Sequence, residues 1–213
     1  MIQYSIVTEQ PATEPVTLSE AKTHLEYTGT GKDGYIASLI TTARRLSEAY
    51  TGLSFITQTR RVKLDYFPCT SYDFVRQKLY IELPYGPVQS VESFTYLNDD
   101  GVTTTTLTEG THFTLDSHSR IARLYPIENG EISSWPTDVR NIPHAITIDY
   151  NAGYDDVSGE TMPSQIKQAI YMYLTLYFEN RGDNQGKGFQ DALPWHCMNI
   201  LDSIKVTWNA NYE

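Results

Sequence analysis

The sequence predicts an α+β fold: a discontinuous helical bundle, with N- and C-terminal helices packed together, and an inserted antiparallel β domain. Three observations predict it. Apolar residues recur at helical spacing near both ends of the chain. Between Ser54 and Tyr150 the spacing shortens to every second residue, the period of a strand with one buried face. Neither helical end carries enough apolar surface to form a core alone, so the two are expected to share one. The expected segments are a helical body from 1–53 and 160–213 and a β insertion from 54–159, which would project from that body.

The elements follow in order. Thr17-Leu18-Ser19-Glu20 matches a capping box, in which the Thr hydroxyl accepts from the Glu20 backbone N–H and the Glu carboxylate reaches back. It predicts a short helix over Leu18–Leu25. After a Gly/Thr turn, Asp33 is the expected N-cap of a second helix. There Ile36, Leu39, Ile40, Ala43 and Leu46 follow the i, i+3, i+4, i+7 rule, and Gly52 supplies a left-handed stop. Strands are predicted over Ile56–Leu64, Lys78–Leu83, Val88–Leu97, Val102–Leu107, His112–Leu115, Arg120–Leu124 and Ala145–Tyr150. Asn98-Asp99-Asp100-Gly101 is the clearest hairpin turn among them. Pro163 suits the first turn of a third helix, with Ile166, Ala169, Ile170, Tyr173, Leu174, Tyr177 and Phe178 on one broad face. A last helix carries Trp195, Met198, Leu201 and Ile204, and the tail beyond it bears Val206, Trp208 and Tyr212.

Composition bounds the function. The 213 residues are long enough to bury a core without metal or disulfide staples. No apolar run reaches the length of a membrane-spanning helix, so no membrane partner is expected. The first residues, from Met1 to Ser5, show no secretory signal, and Cys69 and Cys197 fit neither a disulfide framework nor a zinc motif. A net charge of −10 and a pI near 4.9 disfavour tight DNA binding, which needs clustered Lys and Arg. The same acidity suits a surface past which DNA slides.

Motifs for chemistry are weak. The five histidines are dispersed, so no metal site is expected. Asp116-Ser117-His118-Ser119 collects the letters of a catalytic triad, but consecutive residues point in different directions. Gly182-Asp183-Asn184-Gln185-Gly186-Lys187-Gly188 misses the phosphate-loop spacing and lacks a following Ser or Thr. Nothing selects a carboxylate pair such as Glu82 and Glu92 for hydrolysis. Neither an enzymatic activity nor a cofactor is expected. Contact residues are a better prospect: the basic cluster Arg60, Arg61 and Lys63, and the aromatic and apolar Trp195, Val206, Trp208 and Tyr212.

An ordered set of blocks then resembles a known family. Val16-Thr17-Leu18-Ser19-Glu20-Ala21-Lys22-x-His24-Leu25 leads into the helix Asp33…Ile36-x-x-Leu39-Ile40-x-x-Ala43-Arg44, which ends Glu48-Ala49-Tyr50-Thr51-Gly52. Ile56-Thr57-Gln58-Thr59, Leu83-Pro84-x-Gly86-Pro87-Val88-x-Ser90-Val91 and Ile148-x-Tyr150-x-Ala152-Gly153-Tyr154 follow. The set closes with Met162-Pro163-x-x-Ile166-Lys167-Gln168-Ala169-Ile170 and Tyr177-x-Glu179-Asn180-Arg181. Together they resemble the head–tail connector (adaptor, or head-completion) proteins of tailed bacteriophages. The resemblance spans nearly the whole chain and is weakest over Tyr66–Arg76 and after Trp195.

It implies a virion structural protein at the head–tail junction, assembled in the host cytoplasm. Its copies would form a ring, expected to be dodecameric, under the portal protein. The ring would meet stopper or tail proteins below and extend the channel for passing dsDNA. The alternatives are a tail or baseplate component whose β module contacts protein or glycan, and a small hydrolase.

Overall fold

The computed structural model describes residues 4–68, 79–118, 121–154, 161–180 and 193–206. It is α+β, with four helices and antiparallel sheets among the described residues. The chain divides into two compact units. Among the described residues, one gathers the strands, from Tyr4–Gln10 and Thr57–Gly153; the other gathers the helices, from Pro11–Ile56 and the described part of 154–206.

In the β unit, β1 (Tyr4–Glu9), β2 (Gln58–Leu64), β4 (Val88–Leu97), β5 (Thr104–Thr106) and β9 (Ile146–Ala152) form a five-stranded sheet in the order β1-β2-β9-β4-β5. A second sheet orders β3 (Ile81–Leu83), β7 (Ala122–Glu128) and β6 (Phe113–Asp116), with the short β8 (Glu131–Ile132) paired to β7. Strict alternation explains β2 and β9. Val62 and Leu64 of β2, with Ile146, Ile148 and Tyr150 of β9, point into the core; Arg61, Lys63, Thr147 and Asp149 point out. The inner residues of both sheets join one cluster, completed by the loop residues Phe67 and Trp135, whose rings stack at 5.0 Å. The Trp135 indole N–H reaches the Leu79 carbonyl at 2.6 Å, so its polar end is not stranded in the apolar interior.

The expected turn at Asn98–Gly101 joins β4 to β5. Gly101 takes a φ of +72°, and Asp100 accepts from the backbone N–H groups of Val102 and Thr103. β1 is a correction to the expected segments. Its run Tyr4-Ser5-Ile6-Val7-Thr8-Glu9 pairs antiparallel with β2, from Tyr4 opposite Lys63 to Glu9 opposite Thr59, so this segment belongs to the β unit.

In the helical unit, α1 (Leu18–His24) starts at the capping box, with both reciprocal bonds formed. α2 (Asp33–Thr51) stops at Gly52, whose φ of +68° is the left-handed conformation that a side chain disfavours. Asp33 is not the N-cap: Lys32 holds that position, and the Asp33 carboxylate instead takes the Lys22 ammonium at 2.8 Å. Pro163 likewise sits at the N-cap of α3 (Ser164–Glu179) and not inside its first turn. α4 (Trp195–Leu201) ends before Ile204.

Val16 and Ala21, Ile36, Leu39 and Ile40 of α2, Ile166 and Ile170 of α3, and Cys197 and Leu201 of α4 belong to one buried cluster. A charged group lies within this unit. The Arg44 guanidinium bridges Glu14 at 2.7 Å and Glu48 at 3.0 Å, while Glu48 also accepts from the Phe55 N–H at 2.9 Å. With Arg44 and Glu48 almost fully buried, this pairing is what makes their burial tolerable.

Candidate interaction surfaces

Alternation along β2 separates its three basic residues. Arg60 shares the inward side with Gln58 and Val62, and it is only 5% exposed. Its guanidinium stacks 3.8 Å from the centre of the Tyr85 ring. The contact expected of Arg60 with another molecule is therefore corrected: its charge is used inside the β unit. The signal was present in the sequence, since Arg60 has the same parity as Val62 and Leu64.

Arg61 and Lys63 do face outward, onto the polar side of the five-stranded sheet. Arg61 makes a two-point bond to Asp149 on β9, at 2.7 and 2.9 Å. That guanidinium holds the Asp149 carboxyl below its ordinary value, and Asp149 in turn raises Arg61. Ser93 donates to the same carboxylate at 3.1 Å. Beside it, Asn151 donates to Glu92 at 2.6 Å and accepts from Thr59 at 3.0 Å. These groups line a shallow hollow of about 490 Å³ with Thr8 and Glu9 on its β1 side. Each side chain is placed by a partner on a neighbouring strand, so the surface is polar and preorganised.

The helical unit offers a second hollow, of about 730 Å³, along the outer side of α1, lined by Leu18, Lys22 and Tyr27 among others. Trp195, at the start of α4, is 59% exposed, with its ring against that of His196. Val206 is held where α2 ends: its N–H donates to the Thr51 carbonyl at 2.8 Å. Tyr50 donates to the Asp202 carboxylate, and the Lys205 ammonium sits 3.9 Å above the Tyr50 ring. The bond to Asp202, with burial, pushes the Tyr50 phenol above its ordinary value. The chain therefore leaves Val206 from a fixed point. Trp208 and Tyr212 lie outside the described residues. Of the seven expected contact residues, then, the structure brings Arg61 and Lys63 to one face, buries Arg60 and exposes Trp195.

Among the described residues the letters of a triad do not assemble. His118 is fully exposed, with its ring nitrogen 4.0 Å from Asp116, and Ser119 is outside the described residues. Glu82 is buried on β3 opposite Arg123, whereas Glu92 lies on the polar face of the other sheet, so the two carboxylates do not share a site. Cys197 is buried with its thiol pushed up to about 11 by desolvation, which leaves it a poor nucleophile. Among the described residues no helix is long and apolar enough to cross a membrane.

No family model matches the sequence, and no curated protein matches it. Solved structures do match. One is a chain in the neck of an empty gene transfer agent particle computed with C6 symmetry: TM-score 0.64 and 19% identity, covering 99% of this chain and 98% of that one. A chain in the virion of the native gene transfer agent particle matches at TM-score 0.60 and 18% identity, with the same coverage. The neck of the native particle computed with C12 symmetry gives 0.60 at 17% identity, again over 99% of this chain and 98% of the other. This chain thus shares its fold, from end to end, with chains of gene transfer agent particles.

Proposed function

We propose that the protein is a structural subunit of the neck of a tailed, phage-like particle. Its copies form a ring beneath the portal protein and extend the DNA channel toward the stopper and tail proteins. The observation that carries this reading is the full-length match of fold to chains of gene transfer agent necks, with almost nothing left over in either chain. Two units matched together over 99% of the chain are a more specific signal than either a small sheet or a helix bundle alone.

In this reading the helices on either side of Thr57–Gly153 make a discontinuous bundle that serves as the ring body, while the N-terminal strand β1 joins that segment in the β unit. Trp195, exposed on α4, and the tail that departs from the anchored Val206 are the contacts with portal. Exposed aromatics of this kind commonly dominate interface energy, at about 2 kcal/mol or more each when buried by a partner. The net charge of −10 keeps the channel wall from gripping duplex DNA, because like charges at close range repel.

A depletion experiment tests the role. Particles assembled without this protein are expected to carry packaged heads without tails, and supplying the chain in trans restores joining. A chain lacking Thr207–Glu213 folds but restores joining poorly. Normal tailed particles assembled in the complete absence of the protein would remove the proposal.

A further inference from the structure

An antiparallel sheet that does not close on itself leaves two rows of unpaired backbone N–H and C=O groups. In the five-stranded sheet those rows belong to β1 and β5, each with a neighbour on one side only among the described residues. β1 has none of the usual protections along Tyr4–Thr8: no proline, no lysine and no charged residue, with its single irregularity near the far end, between Val7 and Glu9. β5 is a run of threonines, equally free of proline and charge, and Thr104 and Thr106 are exposed. β5 is wholly β-branched and β1 carries Ile6, Val7 and Thr8 in a row, the residue type best suited to pairing.

We propose that β1 of one copy pairs with β5 of the next, so that the sheets of neighbouring copies run on into one another. This deepens the ring reading and rests on it. A closed ring of more than two copies joined head to tail requires two different, mutually complementary patches on each chain, and opposite edges of one sheet provide them. The pairing also has a defined sense. Each strand of the sheet is antiparallel to its neighbour, so β1 and β5 run the same way and the join is parallel. Five strands at about 4.8 Å give roughly 24 Å per copy, so twelve copies make a belt about 90 Å across.

Facing is fixed as well. Ile6 lies opposite the outward Arg61, while Thr106 and Thr104 lie opposite Thr95 and Leu97 on the same outward side of the sheet. Thr105 is opposite the buried Tyr96 and faces inward.

Disulfide trapping on the full chain, with portal protein present, tests the join. The double variants Ile6→Cys/Thr106→Cys and Ile6→Cys/Thr104→Cys sample the two registers that bring outward residues together. One of them is expected to give a covalent ladder ending at the ring number. Ile6→Cys/Thr105→Cys, with one cysteine inward, should trap at least ten-fold less. Rings by light scattering without a ladder from either outward pair would overturn the join and leave the ring reading intact. Dimers from Ile6→Cys alone would overturn it in favour of β1 pairing with itself. Wild-type chains that stay single beside portal would end both.

Discussion

The two units differ in where they place an arginine–carboxylate pair and in how much aromatic surface fills their interiors. The β unit stacks Phe67, Phe94, Phe113 and Trp135 in its interior and leaves its ion pair, Arg61–Asp149, on an open sheet face. The helical unit fills its core chiefly with aliphatic side chains and places a second ion pair, Arg44–Glu48, inside. The same chemistry therefore has different consequences in each. On the sheet, water already screens the pair, so its loss is small; in the helical unit, removing one partner leaves a charge with no water to receive it.

Substitutions can break that contrast, and the largest effects lie in the two interiors. Trp135→Ala is expected to cost about 3–5 kcal/mol, because it empties the centre of the aromatic cluster and frees the Leu79 carbonyl. Denaturant titration read by near-ultraviolet circular dichroism checks it, and a loss below 1 kcal/mol would mean the cluster repacks.

Arg44→Met should cost about as much, roughly 3–5 kcal/mol, since Glu14 and Glu48 lose their shared cation and Glu48 stays buried. The matched Arg61→Met exchange on the sheet should cost under about 1 kcal/mol. Equal losses in the two variants, measured in parallel melts, would erase the distinction between the units.

Acid sharpens the comparison further. The bonds from the Thr17 N–H and hydroxyl, with that from Lys167, hold the Glu20 carboxyl down at about 2. A group depressed in the folded state stabilises above its unfolded value and loses that contribution as pH falls through the folded one. Glu20 should therefore help α1 fully above about pH 5 and progressively less down to about pH 2. Glu20→Gln is expected to cost about 1 kcal/mol at pH 7 and nearly nothing at pH 2, given the value of a helix cap. A stability difference between the two proteins that stays constant from pH 7 to pH 2 would contradict this role.

What was legible in the sequence follows from range. The capping box at Thr17–Glu20, the Gly52 stop and the Asn98–Gly101 turn are decided by neighbours along the chain, and each appears where expected. The order β1-β2-β9-β4-β5 is decided by which edges meet in space, and no local pattern encodes it. β1 is not among the predicted strands, although Ile6, Val7 and Thr8 are β-branched, because Pro11 and Pro15 shortly after it point to an irregular lead-in. Among the contact residues, parity along β2 separates Arg61 from Arg60, which the basic cluster taken as a whole does not. Alternation alone does not say which side is covered, whereas the apolar Val62 and Leu64 do.

The central claim is that copies of this chain close into a ring at the neck. Light scattering of the purified full-length protein, alone and mixed with portal, measures that directly. The predicted result is a single species, with portal if not without it, whose mass is a fixed multiple of 24.2 kDa added to the portal oligomer. A chain that elutes at 24.2 kDa under both conditions, at concentrations well above those of assembly, would contradict it.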